Sequence, residues 1–203
     1  MRFDTDSQSF VVDDDFALPA KFFIRESYPV PAYSTHPAVS HETRVMRCIF
    51  ENRWGLSIIW GSMTYGDNHD HPYGGFDYTL RKRMDPAPFV EQPSTVELGI
   101  IMPEPITRPE VKIDMPGWKG PESIPEHVIE LWGDPLGYVD AEQVKFVARI
   151  VSRLDSHQWA QIDGYGPYVQ RDSVSGELAL VIEQRDDGPD IILTLVSDEL
   201  RVR

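Results

Sequence analysis

Apolar and polar positions alternate most strictly between residues 45 and 60. Met46, Cys48 and Phe50 take one side of an extended chain against Val45, Arg47, Ile49 and Glu51, and Leu56, Ile58 and Trp60 do the same against Ser57 and Ile59. A period of two predicts strands. Between the runs, Asn52-Arg53-Trp54-Gly55 is a polar tip in which Asn and Gly can take positive φ, so the two strands are expected to pair as an antiparallel hairpin. A third strand is predicted over Phe76-Asp77-Tyr78-Thr79-Leu80 and a fourth through Val96, Leu98, Ile100 and Met102. Together they read as a four-stranded meander with one buried face.

Residues 1–43 show no long period and are interrupted by Pro19, Pro29, Pro31 and Pro37. They read as an extended N-terminal arm, whose aromatic residues Phe10, Phe16, Phe22, Phe23, Tyr28 and Tyr33 tie it to a single domain spanning 44–203. Ala20 to Arg25 is suited to an edge strand. Six prolines between residues 103 and 125 exclude a long helix and a central strand, and predict a structured crossover. Ser123-Ile124-Pro125-Glu126 then has capping-box spacing for a short helix, with a strand through Val128–Trp132 as the alternative.

The clearest helical period follows Asp140. Val144, Val147, Val151 and Leu154 recur every three or four residues, flanked by Phe146 and Ile150, while Glu142, Lys145, Arg149 and Arg153 take the other side. Asp140 is placed to accept from the first-turn amides, with Gln143 at N3. Burying six such side chains is worth on the order of 10 kcal/mol of gross transfer free energy, which only an apolar sheet face can supply. Strands are predicted again at Tyr168–Asp172, Glu177–Gln184 and Ile191–Val196, the last two with matching apolar parity. The expectation is an α+β fold: an antiparallel sheet, made of the meander and the C-terminal hairpin strands, which extend it or form a small sheet beside it, with one main amphipathic helix packed on it.

Charge changes the functional picture. With 33 acidic and 19 basic residues the formal net charge is -14, which argues against direct nucleic-acid binding and suits a basic protein partner. No apolar run has bilayer length and the N-terminus lacks a signal-like pattern, so a soluble, cytoplasmic protein without membrane contact is expected. Cys48, the single cysteine, reads as a small buried apolar residue.

The densest group of potential ligands is Gly66 to Gly75. Asp67, His69 and His71 share parity, so in an extended segment they would point one way, as zinc or another divalent ion requires. An open position on such an ion would support hydrolysis. The competing reading is a polar turn, because Asp, Asn, Gly and His tolerate left-handed backbone and cap their own amides. No metal-ligand spacing recurs elsewhere, and no G-x-S-x-G, P-loop or G-x-G-x-x-G occurs. For recognition of a partner, Tyr65, Asn68, Tyr73 and Trp54 are the candidate contact residues, and Trp60 and Tyr78 read as core. His157 and Trp159 are placed to cover the helix C-terminus.

Trp54-Gly55-Leu56-Ser57-Ile58-Ile59-Trp60-Gly61, Thr64-Tyr65-Gly66, Val96 to Ile101 and Asp134 to Val139, ahead of an amphipathic helix, resemble uncharacterised small proteins of actinobacteria and their phages. The resemblance covers residues 44–154 and implies no catalytic residues. It favours a phage-associated modulator of a host protein. Three functions are therefore in view: a non-enzymatic acidic protein-binding module that needs no cofactor, a metal-dependent hydrolase using Asp67, His69 and His71, and an acidic DNA mimic.

Overall fold

The computed structural model describes residues 1–19, 22–29, 40–62, 64–71, 76–77, 82–83, 88–103, 133–155, 167–183 and 188–203. The chain opens with Arg2–Asp4 (β1), Ser9–Asp13 (β2) and Phe16–Pro19 (β3), an antiparallel sheet in sequence order. Its turns are closed by acidic side chains: Asp4 accepts from the Asp6 amide at 3.0 Å and the Ser7 hydroxyl at 2.8 Å, and Asp13 accepts from the Asp15 amide at 3.0 Å. Phe10, Val12 and Leu18 enter the main core. Residues 1–19 are thus a small sheet where the sequence pattern suggested an arm, because strands of three to five residues are too short to show a period.

The central sheet contains Phe22–Pro29 (β4), Ser40–Ile49 (β5) and Gly55–Gly61 (β6). After the short ribbon of Phe76–Asp77 (β7) and Lys82–Arg83 (β8), it is completed by Thr95–Ile101 (β9) and Leu136–Asp140 (β10). The order is β10-β9-β6-β5-β4 and each pair is antiparallel. The expected hairpin is present, with Met46 opposite Ile58 and Cys48 opposite Leu56, all buried. The expected third strand is not in this sheet. β6 pairs directly with β9, setting Leu98 against Ile58 and Ile100 against Leu56, whereas Phe76–Asp77 pairs with Lys82–Arg83. β9 offers a long run of buried residues to this central position.

Ala141–Val151 (α1) follows β10 without a linker. Its capping box is reciprocal: the Gln143 amide donates to Asp140 Oδ1 at 2.9 Å and the Asp140 amide donates to Gln143 Oε1 at 3.0 Å. Val144, Val147, Ala148, Ile150 and Val151 are buried, with Leu154 beyond the last turn. This face meets β9 and β10, β2 of the N-terminal sheet, and β12 and β13 of a third sheet. That sheet is Tyr168–Arg171 (β11), Leu178–Ile182 (β12), Ile191–Val196 (β13) and Glu199–Val202 (β14), antiparallel in sequence order. Leu180 faces Leu193 and Ile182 faces Ile191, as parity predicts.

The fold is therefore α+β, with three antiparallel sheets meeting on one helix. Among the described residues no helix is long and apolar enough to cross a membrane. The capping box predicted at residues 123–126, the segment 128–132, most of the proline-rich crossover, Tyr78, His157 and Trp159 lie outside the described residues.

Candidate functional site

The loop that leaves β6 is fixed almost entirely by polar contacts. Thr64 folds back on the strand end: its hydroxyl donates to the Gly61 carbonyl at 2.8 Å and accepts from the Gly61 amide at 3.1 Å. Ser62 is tied to β5, its amide donating to the Glu42 carbonyl at 2.8 Å. Asp67 is tied to the start of β9, accepting from the Ser94 amide at 2.6 Å, the Ser94 hydroxyl at 2.9 Å and the Thr95 hydroxyl. Partial burial works to raise the Asp67 pKa, but the hydrogen bonds from Thr95 and Ser94 outweigh it and hold the carboxyl below its ordinary value.

Asn68, expected to contact a partner, is 1% exposed and serves the fold. It donates to the Val90 carbonyl at 2.9 Å and accepts from the Val90 amide at 2.7 Å, so its amide group imitates one rung of an antiparallel ladder. His71 is buried with its ring edge-on to Phe89, centroids 5.4 Å apart, while the Arg44 guanidinium lies 4.4 Å from the same ring. Arg44, itself buried, pairs with Glu42 at 2.8 Å and Glu91 at 2.9 Å. Trp54 is fully buried in the core and unavailable as a contact. Tyr73 lies outside the described residues.

Asp67, His69 and His71 are not gathered into one ligand set. Asp67 serves β9, His71 packs on Phe89, and His69 Nδ1 lies 2.9 Å from the Thr64 carbonyl. Among the described residues no group of three or more His, Cys, Asp or Glu side chains could hold a metal ion. The shared parity that suggested a site presumes an extended segment, but this loop turns repeatedly: His69 N–H bonds back to Gly66 and His71 N–H to Asn68, both at 3.0 Å.

What the loop does present is aromatic. Tyr65 is 52% exposed and stacks on His69, with centroids 5.9 Å apart and planes 12° from parallel. Tyr138, 54% exposed, completes a triangle at 6.4 Å from Tyr65 and 6.5 Å from His69. Tyr138 arrives there through a bulge. Leu136 pairs with Leu98 and Val139 with Val96, so Gly137 and Tyr138 together oppose the single residue Glu97. The extra residue puts Tyr138 at φ 53°, a left-handed conformation unfavourable for an aromatic side chain. The Tyr138 amide donates to the Tyr65 carbonyl at 2.7 Å, and the Tyr65 amide donates to Glu97 Oε2 at 3.0 Å. Only glycine fits at 137, since a Cβ there would sit 2.7 Å from the Tyr65 Cβ.

Of the expected contact residues, the structure therefore keeps Tyr65 and buries Trp54 and Asn68. Sequence reading missed Tyr138, whose signal is the glycine before it inside a short strand, a common mark of a bulge. His69, which reads from the sequence as a ligand or a turn residue, here also offers a ring face to Tyr65. No protein-family model matches the chain, and no curated protein or solved structure is significantly similar to it.

Proposed function

We propose that this chain is a non-enzymatic protein-binding module whose contact surface is the shelf of Tyr65, His69 and Tyr138, and that its partner is basic. One observation carries the reading: a strained bulge holds a tyrosine half exposed beside a second half-exposed tyrosine, with most of each ring's surface left open to a partner. Backbone strain persists where surrounding structure enforces it, and it concentrates at functional positions. Tyrosine is the residue type most useful at such a place, giving large contact area with little side-chain entropy to lose. The loop beneath is held by Asp67, Asn68 and Thr64, so the rings are organised before a partner arrives. The net charge of -14 supplies long-range attraction for a basic surface. The resemblance to uncharacterised small proteins of actinobacteria and their phages would, if real, make a host protein the first partner to test.

Immobilised chain and the double variant Tyr65→Ala, Tyr138→Asn should be compared for capture from a lysate of the native host, followed by radical footprinting of the complex. The reading expects a partner retained only by the unaltered chain, with Tyr65 and Tyr138 protected from modification. Equal capture by the double variant, or protection elsewhere with these rings still reactive, overturns it.

A further inference from the structure

We infer that the shelf receives an arginine side chain of the partner, held over the tyrosine faces with its guanidinium against Glu97; this rests on the protein-binding reading. Two features of the shelf point to a cation. Its ring faces carry the negative part of the aromatic quadrupole, and three such rings lie within 6.5 Å of one another. Glu97 is anchored by one oxygen only: Oε2 accepts from the Tyr65 amide, and Oε1 has no hydrogen-bond partner among the described residues. His69 Nδ1 lies 2.9 Å from the Thr64 carbonyl, which can only accept, so this nitrogen donates and the ring is fixed beneath Tyr65.

The charge around the shelf agrees. Segments 62–71, 94–98 and 133–140, which build it, contain no lysine or arginine, but they carry Asp67, Asp70, Glu97, Asp134 and Asp140. No cation of these segments can therefore fill the position from within. Elsewhere the same chain sets its own arginines on aromatic rings, Arg44 at 4.4 Å from the Phe89 centroid and Arg149 at 5.9 Å from that of Phe16. Arginine is favoured over lysine because a planar guanidinium can stack on a ring while its edge donates to a carboxylate, which a compact ammonium cannot do.

The test titrates the full chain, at physiological salt, with the tripeptide amide acetyl-Gly-Arg-Gly, its citrulline counterpart and its lysine counterpart, following the aromatic NMR resonances of Tyr65, His69 and Tyr138. Citrulline keeps the shape of arginine and removes the charge. The expected result is saturable movement of these resonances with arginine, weaker response to lysine and none to citrulline. Glu97→Gln retains an acceptor for the Tyr65 amide, so the fold should hold while arginine binds about two- to five-fold more weakly. Tyr65→Ala keeps the Cβ that meets Gly137, and Tyr138→Asn suits left-handed backbone; each should remove the response. Equal binding of citrulline, full affinity in Glu97→Gln, or silent rings with arginine overturns the inference. If partner capture still depends on Tyr65 and Tyr138 in that case, the shelf is a docking surface for uncharged groups and only the arginine assignment falls. If capture is also independent of them, both readings fall.

Discussion

The helix α1 and the loop that leaves β6 are both immobilised, but by opposite means. The helix is held by volume: Val144, Val147, Ile150 and Val151 fill the space between three sheets, and their exact partners matter less than their bulk. The loop is held by direction: Asp67, Asn68 and Thr64 each satisfy named backbone or hydroxyl groups, and few large apolar side chains are involved. A volume-held element fails globally when it fails, whereas a direction-held one can open locally while the core stays closed. That division suits a molecule whose contact surface sits on the loop and whose stability sits on the helix.

The largest effect is expected from Val147→Asp. Val147 is fully buried, and a carboxylate there has no partner, so the fold should lose about 3–5 kcal/mol. Urea unfolding measures it, and a loss below about 1 kcal/mol would mean that the helix does not face the core as described. Asn68→Ala is the counterpart in the loop. It removes both bonds to Val90 and should lower stability by about 2 kcal/mol at most, since Val90 is exposed and water can reach its backbone. The sharper readout is hydrogen exchange: amides of residues 64–71 should exchange faster while those of α1 are unchanged. Uniform acceleration in both would erase the distinction between the two elements.

This contrast also explains what the sequence made legible. Volume leaves a periodic trace, so α1 and the parity of β5, β6, β12 and β13 could be read from apolar spacing. Direction leaves little beyond a local signature such as the Asp140 and Gln143 capping pair. Nothing in the letters around Asn68 says that its amide will pair with Val90 rather than with a partner molecule. Turn chemistry hid one further element, β14, and blurred the geometry of a turn that was expected. β13 and β14 are joined through Ser197 at φ 51° and Asp198 at φ 67°, a pair of left-handed residues without the Asn-Gly that would advertise such a turn. At the β5–β6 tip the left-handed residue is Arg53, while Asn52 accepts from the Trp54 amide at 3.3 Å within the turn and also donates to the Val151 and Leu154 carbonyls at 2.7 and 2.9 Å. Phe76–Asp77 was misplaced for the reverse reason: its alternation is real, but alternation does not say which strand is the neighbour.

Asn52 therefore links the two kinds of element, a polar clamp on the end of the volume-held helix. Asn52→Ala should lower stability by about 1 kcal/mol, seen as a reduced urea midpoint with unchanged slope, and should fray residues 150–154 first in hydrogen exchange. Acid should act on the other side of the comparison. Asp67 has a folded pKa below its unfolded one, so its contribution is complete above the unfolded carboxyl value of about 4 and is lost as pH falls through the folded value. As pH is lowered below about 4, the Ser94 amide should lose protection before the amides of α1. Simultaneous loss at both places would show that Asp67 does not act locally.

The smallest expected stability change has the most to say about function, because its sign is reversed. Tyr138 occupies left-handed backbone that glycine adopts freely, so Tyr138→Gly should relieve about 1 kcal/mol of strain. Against this stand the greater freedom of glycine in the unfolded chain and the loss of ring contacts with Tyr65 and His69, each worth less than about 1 kcal/mol on an exposed surface. The net change should lie within about 0.5 kcal/mol of zero or be stabilising, measured as the urea midpoint. A residue held for stability would behave in the opposite way, its removal lowering the midpoint clearly. If Tyr138→Gly leaves the fold as firm as before while the shelf loses its arginine response, the ring is on the surface for what it touches outside the molecule.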